Sequence, residues 1–269
     1  MTMRIKIVSS LFAVVASLLV IAYGFLWEPF EVEVTFHRVN DPNLSQIIRI
    51  AQLSDLHIQN FGRREKSVIQ KLNQLKPDIL IISGDAIDRA DALHALKEFL
   101  DLMKKVQMVA VLGNWEHWSG VDLRKLKVIY EENPRGRLLV NQSIQIKVRQ
   151  RSVDIFGLDD FTAGTPYPSI KLKNSGEKTS VIVEHSLGFF GNSISEVNSK
   201  KSRFCLSGHT HAGQVTLFGW PLWRPKGSGD FTSGWYSTDT CQLYVSRGIG
   251  TSVLPIRFGS RPEIAIFDI

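Results

Sequence analysis

The chain has 269 residues, of which 43% are hydrophobic and 22% charged, with a formal net charge of +6. That length suits one main domain with a short appendage, and the composition is too apolar for a disordered chain. An excess of Lys and Arg suits negative surroundings such as phosphate esters or a lipid surface, but no dense basic tract with interleaved aromatics occurs, so nucleic acid is not an expected partner.

Residues 7–27 carry no charged side chain. As a helix rising about 1.5 Å per residue, such a run crosses a hydrocarbon core about 30 Å thick. The expectation is a single transmembrane anchor over residues 7–27 after a cytoplasmic tail of residues 1–6, with Tyr23 and Trp27 at the far interface. A cleaved signal peptide is the rival, since Arg4 and Lys6 resemble a positive n-region and Ala13 and Ala16 are small. Against it, the apolar run continues to Phe25, Leu26 and Trp27. Arg4 and Lys6 precede the run and Glu28, Glu31 and Glu33 follow it, a bias that puts the bulk of a single-pass inner-membrane protein outside the cytoplasm.

Residues 28–45 read as a linker or edge strand, with alternation over 31–36 and a turn at Asp41, Pro42 and Asn43. The main domain then occupies residues 46–269. Apolar, β-branched runs predict strands over 48–53 and 79–82, separated by a helix carrying Val68, Leu72 and Leu75 that Pro77 stops. Helices over 91–104 and 121–131 bracket a strand over 108–112. Further strands are expected over 153–157, 180–183, 204–206, 215–218, 243–245 and 263–267. Helices dominate the first half and strands the second, which predicts an α/β architecture of mixed sheets flanked by helices. Cys205 and Cys241 match no zinc or redox spacing, and in so large a core they read as buried thiols in preference to a disulfide.

Polar, metal-competent residues stand where predicted strands end: Asp55 and His57, Asp85, Asn114, His185, and His209 with His211. In an α/β sheet the carboxyl ends of neighbouring strands converge on one crevice, so these loops are expected to meet. A lone histidine is ordinarily a core or surface residue, but five of seven lie in or beside these loops: His57, His117, His185, His209 and His211. Two ions about 3.5–4 Å apart need a carboxylate that reaches both, and Asp85, preceded by Gly84, suits that place.

Taken in order, Asp55-x-His57, Gly84-Asp85-x-x-Asp88, Gly113-Asn114, His185 and Gly208-His209-Thr210-His211 resemble the signature of calcineurin-like metallophosphoesterases, over roughly residues 49–269. The stretch from Gly208 to Gln214, with Arg247-Gly248 and Arg261-Pro262, is similar to a bacterial membrane-anchored or exported branch. That branch includes enzymes resembling those that cleave UDP-2,3-diacylglucosamine in lipid A biosynthesis. The resemblance implies a four-layer α-β-β-α sandwich of two mixed sheets and a phosphodiesterase or pyrophosphatase. It also implies two divalent ions, one held by Asp55, His57 and His211, the other by Asn114, His185 and His209, with Asp85 on both. An oxygen-and-imidazole donor set makes Mn²⁺ the expected ion, with Fe and Zn²⁺ as alternatives. A phosphoester substrate, in one reading a nucleotide-linked lipid, follows. A broad extracytoplasmic phosphatase and a catalytically silent metal-binding scaffold are the other readings.

The family pattern has a histidine directly after the asparagine, whereas here the order is Gly113-Asn114-Trp115-Glu116-His117. His117 stands two positions late, either as the general acid for the leaving group or as a supporting or surface residue. Asp88 and Glu116 are expected to orient imidazoles from behind, with surface ion pairs as the plain alternative. Arg247 would clamp a phosphate or pair with a nearby acid. The aromatic and basic segment from Phe218 to Lys226 would line a lipid-substrate entrance, rest on the bilayer, or simply pack as a loop.

Overall fold

The computed structural model describes residues 2–39, 47–166, 179–188, 203–239 and 241–269, with side chains from residue 7 onward. The turn expected at Asp41, Pro42 and Asn43 lies outside these residues. The first element, α1 (Thr2–Leu26), covers the uncharged run up to its last residue, and from residue 7 to residue 21 its side chains are almost all exposed, while Gly24 in the last turn is buried. It is a helix long and apolar enough to cross a membrane, with a mean hydropathy of 2.3 in the candidate span.

This helix leads into β1 (Glu33–Arg38), which begins two residues later than expected and forms an edge strand. There follow β2 (Arg49–Leu53), α2 (Arg63–Leu75), β3 (Ile79–Ser83), α3 (Leu93–Asp101), β4 (Gln107–Val111), the short α4 (Asn114–Trp118), α5 (Leu123–Glu131) and β5 (Gly136–Leu139). The helix expected over 91–104 is a 3₁₀ turn at Ala90–Ala92 followed by α3. Strands then take over: β6 (Gln142–Val148), β7 (Arg151–Gly157), β8 (Thr179–Val183), β9 (Arg203–Ser207), β10 (Thr216–Leu217), β11 (Trp220–Pro221), β12 (Gly234–Ser237), β13 (Gln242–Val245) and β14 (Glu263–Asp268).

Two mixed six-stranded sheets result, ordered β1-β14-β2-β3-β4-β5 and β12-β13-β9-β8-β7-β6. Within them β2 through β5 run parallel, as do β13, β9, β8 and β7, so these strands deliver their following loops to the same edge. Period-two alternation sorts side chains between layers. On β3, Ile79 and Ile81 face the other sheet, while Leu80 and Ile82 face Val68, Leu72, Leu96, Phe99 and Leu126 of the helices. The inter-sheet core joins Ile50, Val109 and Val111 to Val153, Ile155, Val181, Phe204 and Leu206. On the far face of the second sheet, Phe156, Ile182 and Leu243 pack beneath Phe231 and Tyr236.

Cys205 and Cys241 are buried, as expected, but they form a disulfide, not a pair of thiols. The parallel pairing of β13 with β9 sets their Cα atoms 6.0 Å apart, a bridging distance that sequence spacing does not reveal. The bridge closes a loop with a sequence separation of 36. Replacing both residues with serine should lower stability by about 3–4 kcal/mol, read as a lower denaturation midpoint, and reductant should shift the parent but not the variant.

Candidate metal centre

The loops leaving β2, β3, β4, β8 and β9 meet in one crevice at the carboxyl edge of the sheets, bringing together all seven expected ligands. Five of these residues adopt positive φ: Asp55 (52°), His57 (43°), Asp85 (52°), His209 (71°) and His211 (50°). A non-glycine residue in this region is uncommon and costs on the order of 1 kcal/mol, so the surrounding bonds must hold each bend. Asp55 N–H donates to Gly84 O (3.0 Å) and His57 N–H to Asp85 O (3.0 Å). The Glu116 carboxylate accepts from the backbone N–H of Asp85 (3.0 Å), Ala86 (2.6 Å) and Gly113 (2.7 Å). Gly84 has φ 88° and lies so close to His185 that a Cβ there would meet the histidine Cβ at 2.7 Å, so both its sign of φ and its lack of side chain are used.

The donor atoms fall into two groups. Asp55, His57 and His211 form one, Asp85, His185 and His209 the other, and within each group all donors lie within 4.8 Å of one another. His57 Nε2 is 3.1 Å from His211 Nε2, which is 3.2 Å from Asp55 Oδ1. Asp85 Oδ2 stands between the groups, 3.0 Å from His185 Nε2 and 3.8 Å from His57 Nε2. Asn114 Oδ1 joins the second group at 2.8 Å from His209 Nδ1. His185 directs its other nitrogen, Nδ1, to Ser83 O (2.8 Å), and His209 directs Nε2 to Lys226 O (2.8 Å), which leaves one ring nitrogen of each for the crevice.

These groups are almost wholly removed from water. Burial pushes His57 and His211 well below the ordinary histidine value, helped by the charge of neighbouring histidines, so both are neutral, the coordinating form. Burial likewise raises the Asp85 carboxyl to about 6, against the pull of His185, and raises Glu116 to about 7, with Asp85 adding to the shift. His185 Nε2 is fully buried and faces Asp85 Oδ2 at 3.0 Å, and against its burial the charges of Asp85 and Asp55 raise its pKa well above the ordinary histidine value. Such a cluster of desolvated carboxylates and imidazole nitrogens fits a pair of divalent cations, and its donor set without thiolate suits borderline and hard ions.

A cavity of about 900 Å³ opens over Asp85, Asn114, His209 and His211. Its walls are mainly apolar, with Trp115, Trp118, Phe161, Leu222, Trp223 and Leu254 among them. Trp115, standing where the family pattern has histidine, lines the cavity, and its ring meets His57 edge-on at a centroid distance of 6.0 Å.

The remaining sequence candidates sit differently. His117, on the same short helix as Trp115 and Trp118, is not part of the cavity wall; its Nε2 bonds Asp159 Oδ1 at 2.8 Å. Glu116 organises backbone N–H groups where imidazoles were expected. Asp88 Oδ2 comes only within 3.9 Å of His57 Nδ1 and accepts from Gln59 instead. Arg247 takes its alternative role, pairing with Glu33 Oε2 (2.8 Å) and Glu263 Oε1 (3.2 Å).

Sequence reasoning missed Arg257, a fully buried guanidinium. It donates to Gly250 O (2.8 Å), Arg247 O (3.0 Å) and Ser260 O (2.9 Å), and Nη2 lies 3.2 Å from His211 Nδ1. Burial pulls its pKa down to about 9 although Asp55 opposes the shift. The one signal available was a charged residue set between Ile256 and Phe258. Glu184 is also fully buried with both oxygens unbonded, and burial beside Asp160 holds its carboxyl well above the usual range.

Comparison with known proteins agrees with this geometry. The family model described as calcineurin-like phosphoesterase matches residues 48–213. The uncharacterized metallophosphoesterase YkuE of Bacillus subtilis (strain 168) is 28% identical over 265 residues, covering 92% of this chain and 88% of its own. A transmembrane protein with metallophosphoesterase domain from Bos taurus is 26% identical over 256 residues, covering 87% of this chain and 55% of its own. Among solved structures, the Thermus thermophilus sulfate thiohydrolase SoxB superposes with a TM-score of 0.51 at 12% identity, over 86% of this chain and 58% of that one, a likeness of fold.

Replacing Arg257 with Met leaves three buried carbonyls without their donor and should destabilise the protein by about 3 kcal/mol, read by chemical denaturation. The His117–Asp159 pair supplies a pH test. The bond to Asp159 raises His117 above 6.5, and despite burial it holds Asp159 below 3.8. The pair's contribution is therefore whole between 3.8 and 6.5, and is lost as pH rises through the raised His117 value or falls from 3.8 through the lowered Asp159 value. His117→Gln should cost roughly 1 kcal/mol more at pH 5.5 than above the His117 transition, where only a neutral hydrogen bond remains to be lost, read as the difference in unfolding midpoint against pH.

Proposed function

The chain belongs to the calcineurin-like phosphoesterase family, and from that premise we propose that it is a membrane-anchored enzyme of the extracytoplasmic side that hydrolyses phosphodiester or phosphoanhydride bonds with two divalent ions. The position of Asp85 between the two donor groups carries this reading. Asp55, His57 and His211 would hold one ion, Asn114, His185 and His209 the other, and Asp85 both. When bound, such a pair supplies Lewis acidity and neutralises charge gathering on the phosphoryl oxygens. Mn²⁺ is the first choice on donor chemistry, with Fe or Zn²⁺ next.

The protein's own groups prepare that site. Trp115 N–H donates to Asp85 Oδ1 at 2.8 Å, which leaves Oδ2 facing the imidazoles. Ser83 O and Lys226 O select the tautomers of His185 and His209. The apolar walls exclude water from around the phosphoryl group and strengthen electrostatic interactions within the crevice. Because His117 is engaged by Asp159, leaving groups that need no proton are favoured, which points to pyrophosphates and activated diesters over simple alkyl esters.

Compartment separates the substrate readings. Disulfides persist in oxidising compartments, so the Cys205–Cys241 bridge supports the extracytoplasmic orientation drawn from Arg4 and Lys6. A UDP-linked lipid belongs to the cytoplasmic side, and UDP-2,3-diacylglucosamine therefore takes second place to extracytoplasmic phosphoesters.

The full chain in detergent, supplied with Mn²⁺, should turn over bis-p-nitrophenyl phosphate faster than p-nitrophenyl phosphate or UDP-2,3-diacylglucosamine. Asp85→Ala should lower turnover roughly 100-fold or more, since even residues behind a ligand cost 10–100-fold. His117→Gln should keep activity on bis-p-nitrophenyl phosphate within about threefold, whereas a leaving-group acid contributes roughly 10²–10⁴-fold. Turnover unchanged by Asp85→Ala, or a parent inert with Mn²⁺, Fe²⁺ and Zn²⁺ alike, would replace the enzyme with the scaffold reading.

A further inference from the structure

Large apolar side chains stand in water around the cavity mouth. Phe218 is 94% exposed, Val253 83% and Trp220 78%, with Leu222, Trp223 and Leu254 beside them in the two segments. Single exposed apolar residues are ordinary, but a concentration of this size in a protein whose core is otherwise filled marks an interaction surface.

The two segments are distant in sequence and bonded into one unit. Gln214 Nε2 donates to Ser252 O (3.2 Å) and Leu254 O (3.0 Å), Phe258 N–H to Gln214 O (3.0 Å), and Thr216 N–H to Phe258 O (2.7 Å). This unit is fastened to α1. Arg257 N–H donates to Gly24 O at 3.0 Å, the Phe258 ring meets Tyr23 edge-on at 6.4 Å, and Ile256 lies so near Gly24 that a Cβ there would come within 3.1 Å of it. Since α1 ends at Leu26, these contacts join the unit to the last turn of the apolar helix.

We propose that this rim, the β10–β11 hairpin through Trp223 together with Val253 and Leu254, is a bilayer-docking surface that settles into the lipid interface around the end of α1. The proposal rests on reading α1 as a membrane span. Continuity with the helix favours lipid over a protein partner, because the rim segment touches α1 at Tyr23 and Gly24, and Leu19, Leu26 and Trp27 of the same stretch are themselves exposed. Tryptophan is favoured in the interfacial layer, and the exposed Arg224 and Lys226 add positive charge suited to anionic headgroups. Leu222, Trp223, Val253 and Leu254 also line the cavity, so its opening faces the headgroup layer when the rim is seated.

The test uses the full chain in phosphatidylcholine–phosphatidylglycerol vesicles. Both native cysteines are in the disulfide, so a single introduced cysteine takes an environment-sensitive fluorophore. Phe218→Cys and Val253→Cys report on the rim, Leu18→Cys on the helix, and Lys127→Cys, exposed on α5, on bulk water. With nitroxide-bearing lipids as quenchers, labels at 218 and 253 should be quenched several-fold more than the label at 127. If the label at 18 is quenched while those at 218 and 253 match 127, the docking is wrong and the anchor stands. If the label at 18 is not quenched, the span fails and the docking with it. A second arm adds Phe218→Asp and Trp220→Asp, neither of which lines the cavity. Quenching at 253 should fall at least twofold while turnover of bis-p-nitrophenyl phosphate stays unchanged, and quenching that persists overturns the proposal. Quenching reports docking whether or not the protein turns over substrate, so the two readings fail separately.

Discussion

Two aspartates and four histidines, withdrawn from water into one crevice, set the terms for everything around them. Burying carboxylates costs several kcal/mol each unless opposite charge meets them, so the site is a demand for cations written into the fold. The protein meets that demand only in part: against its burial, the charges of Asp85 and Asp55 raise His185, whose Nε2 stands 3.0 Å from Asp85 Oδ2, while burial still lifts Asp85 toward neutrality. It spends its hydrogen bonds on orientation instead, through Ser83 O, Lys226 O and the Trp115 N–H. The same demand explains the left-handed backbone at five of these six residues, because sharp bends aim near neighbours such as Asp55 and His57 into one volume.

Arg257 links this centre to the periphery. Its backbone N–H bonds Gly24 of the apolar helix, while its guanidinium ties Gly250, Arg247 and Ser260 together and reaches the back of His211. Glu28, just beyond the helix, adds a second tie by accepting Ser260 N–H at 2.8 Å. The end of the apolar helix, the exposed rim and one imidazole of the metal centre are thus held in fixed relation by a single loop. The apolar helix is therefore joined to the cavity rim by direct contacts as well as through the connecting chain.

Much of the fold was legible in the chain because both faces of its central strands are buried. Ile79, Leu80, Ile81 and Ile82 form an unbroken apolar run for that reason, and Pro77 marks the preceding helix end plainly. The edge strands were harder. Gln142–Val148 has one face toward solvent, and its alternation of Ile144, Ile146 and Val148 with polar residues was there to be found. Gly136–Leu139 and Gly234–Ser237 are too short to carry a pattern, and become strands only because β4 and β13 offer them partners. The 215–218 run shrank to Thr216–Leu217, since its ladder with β11 spans two residues and Val215 adds only an isolated bridge to Phe258.

The metal-competent residues were visible from sequence because chemistry restricts them to Asp, His and Asn, and their places at strand ends follow from hydrophobic periodicity. Roles set by direction in space were not visible. Whether His117 enters the cavity or turns to Asp159, whether Arg247 meets a phosphate or Glu263, and whether Cys205 finds Cys241 all depend on which strands become neighbours. Local sequence determined which groups exist and roughly where each loop begins; the pairing of β9 with β13, the bend of α4 and the contact of α1 with the loop around Arg257 decided what they touch. Side-chain chemistry and periodicity are local properties of the chain, whereas contact is a property of packed layers whose members are drawn from its whole length.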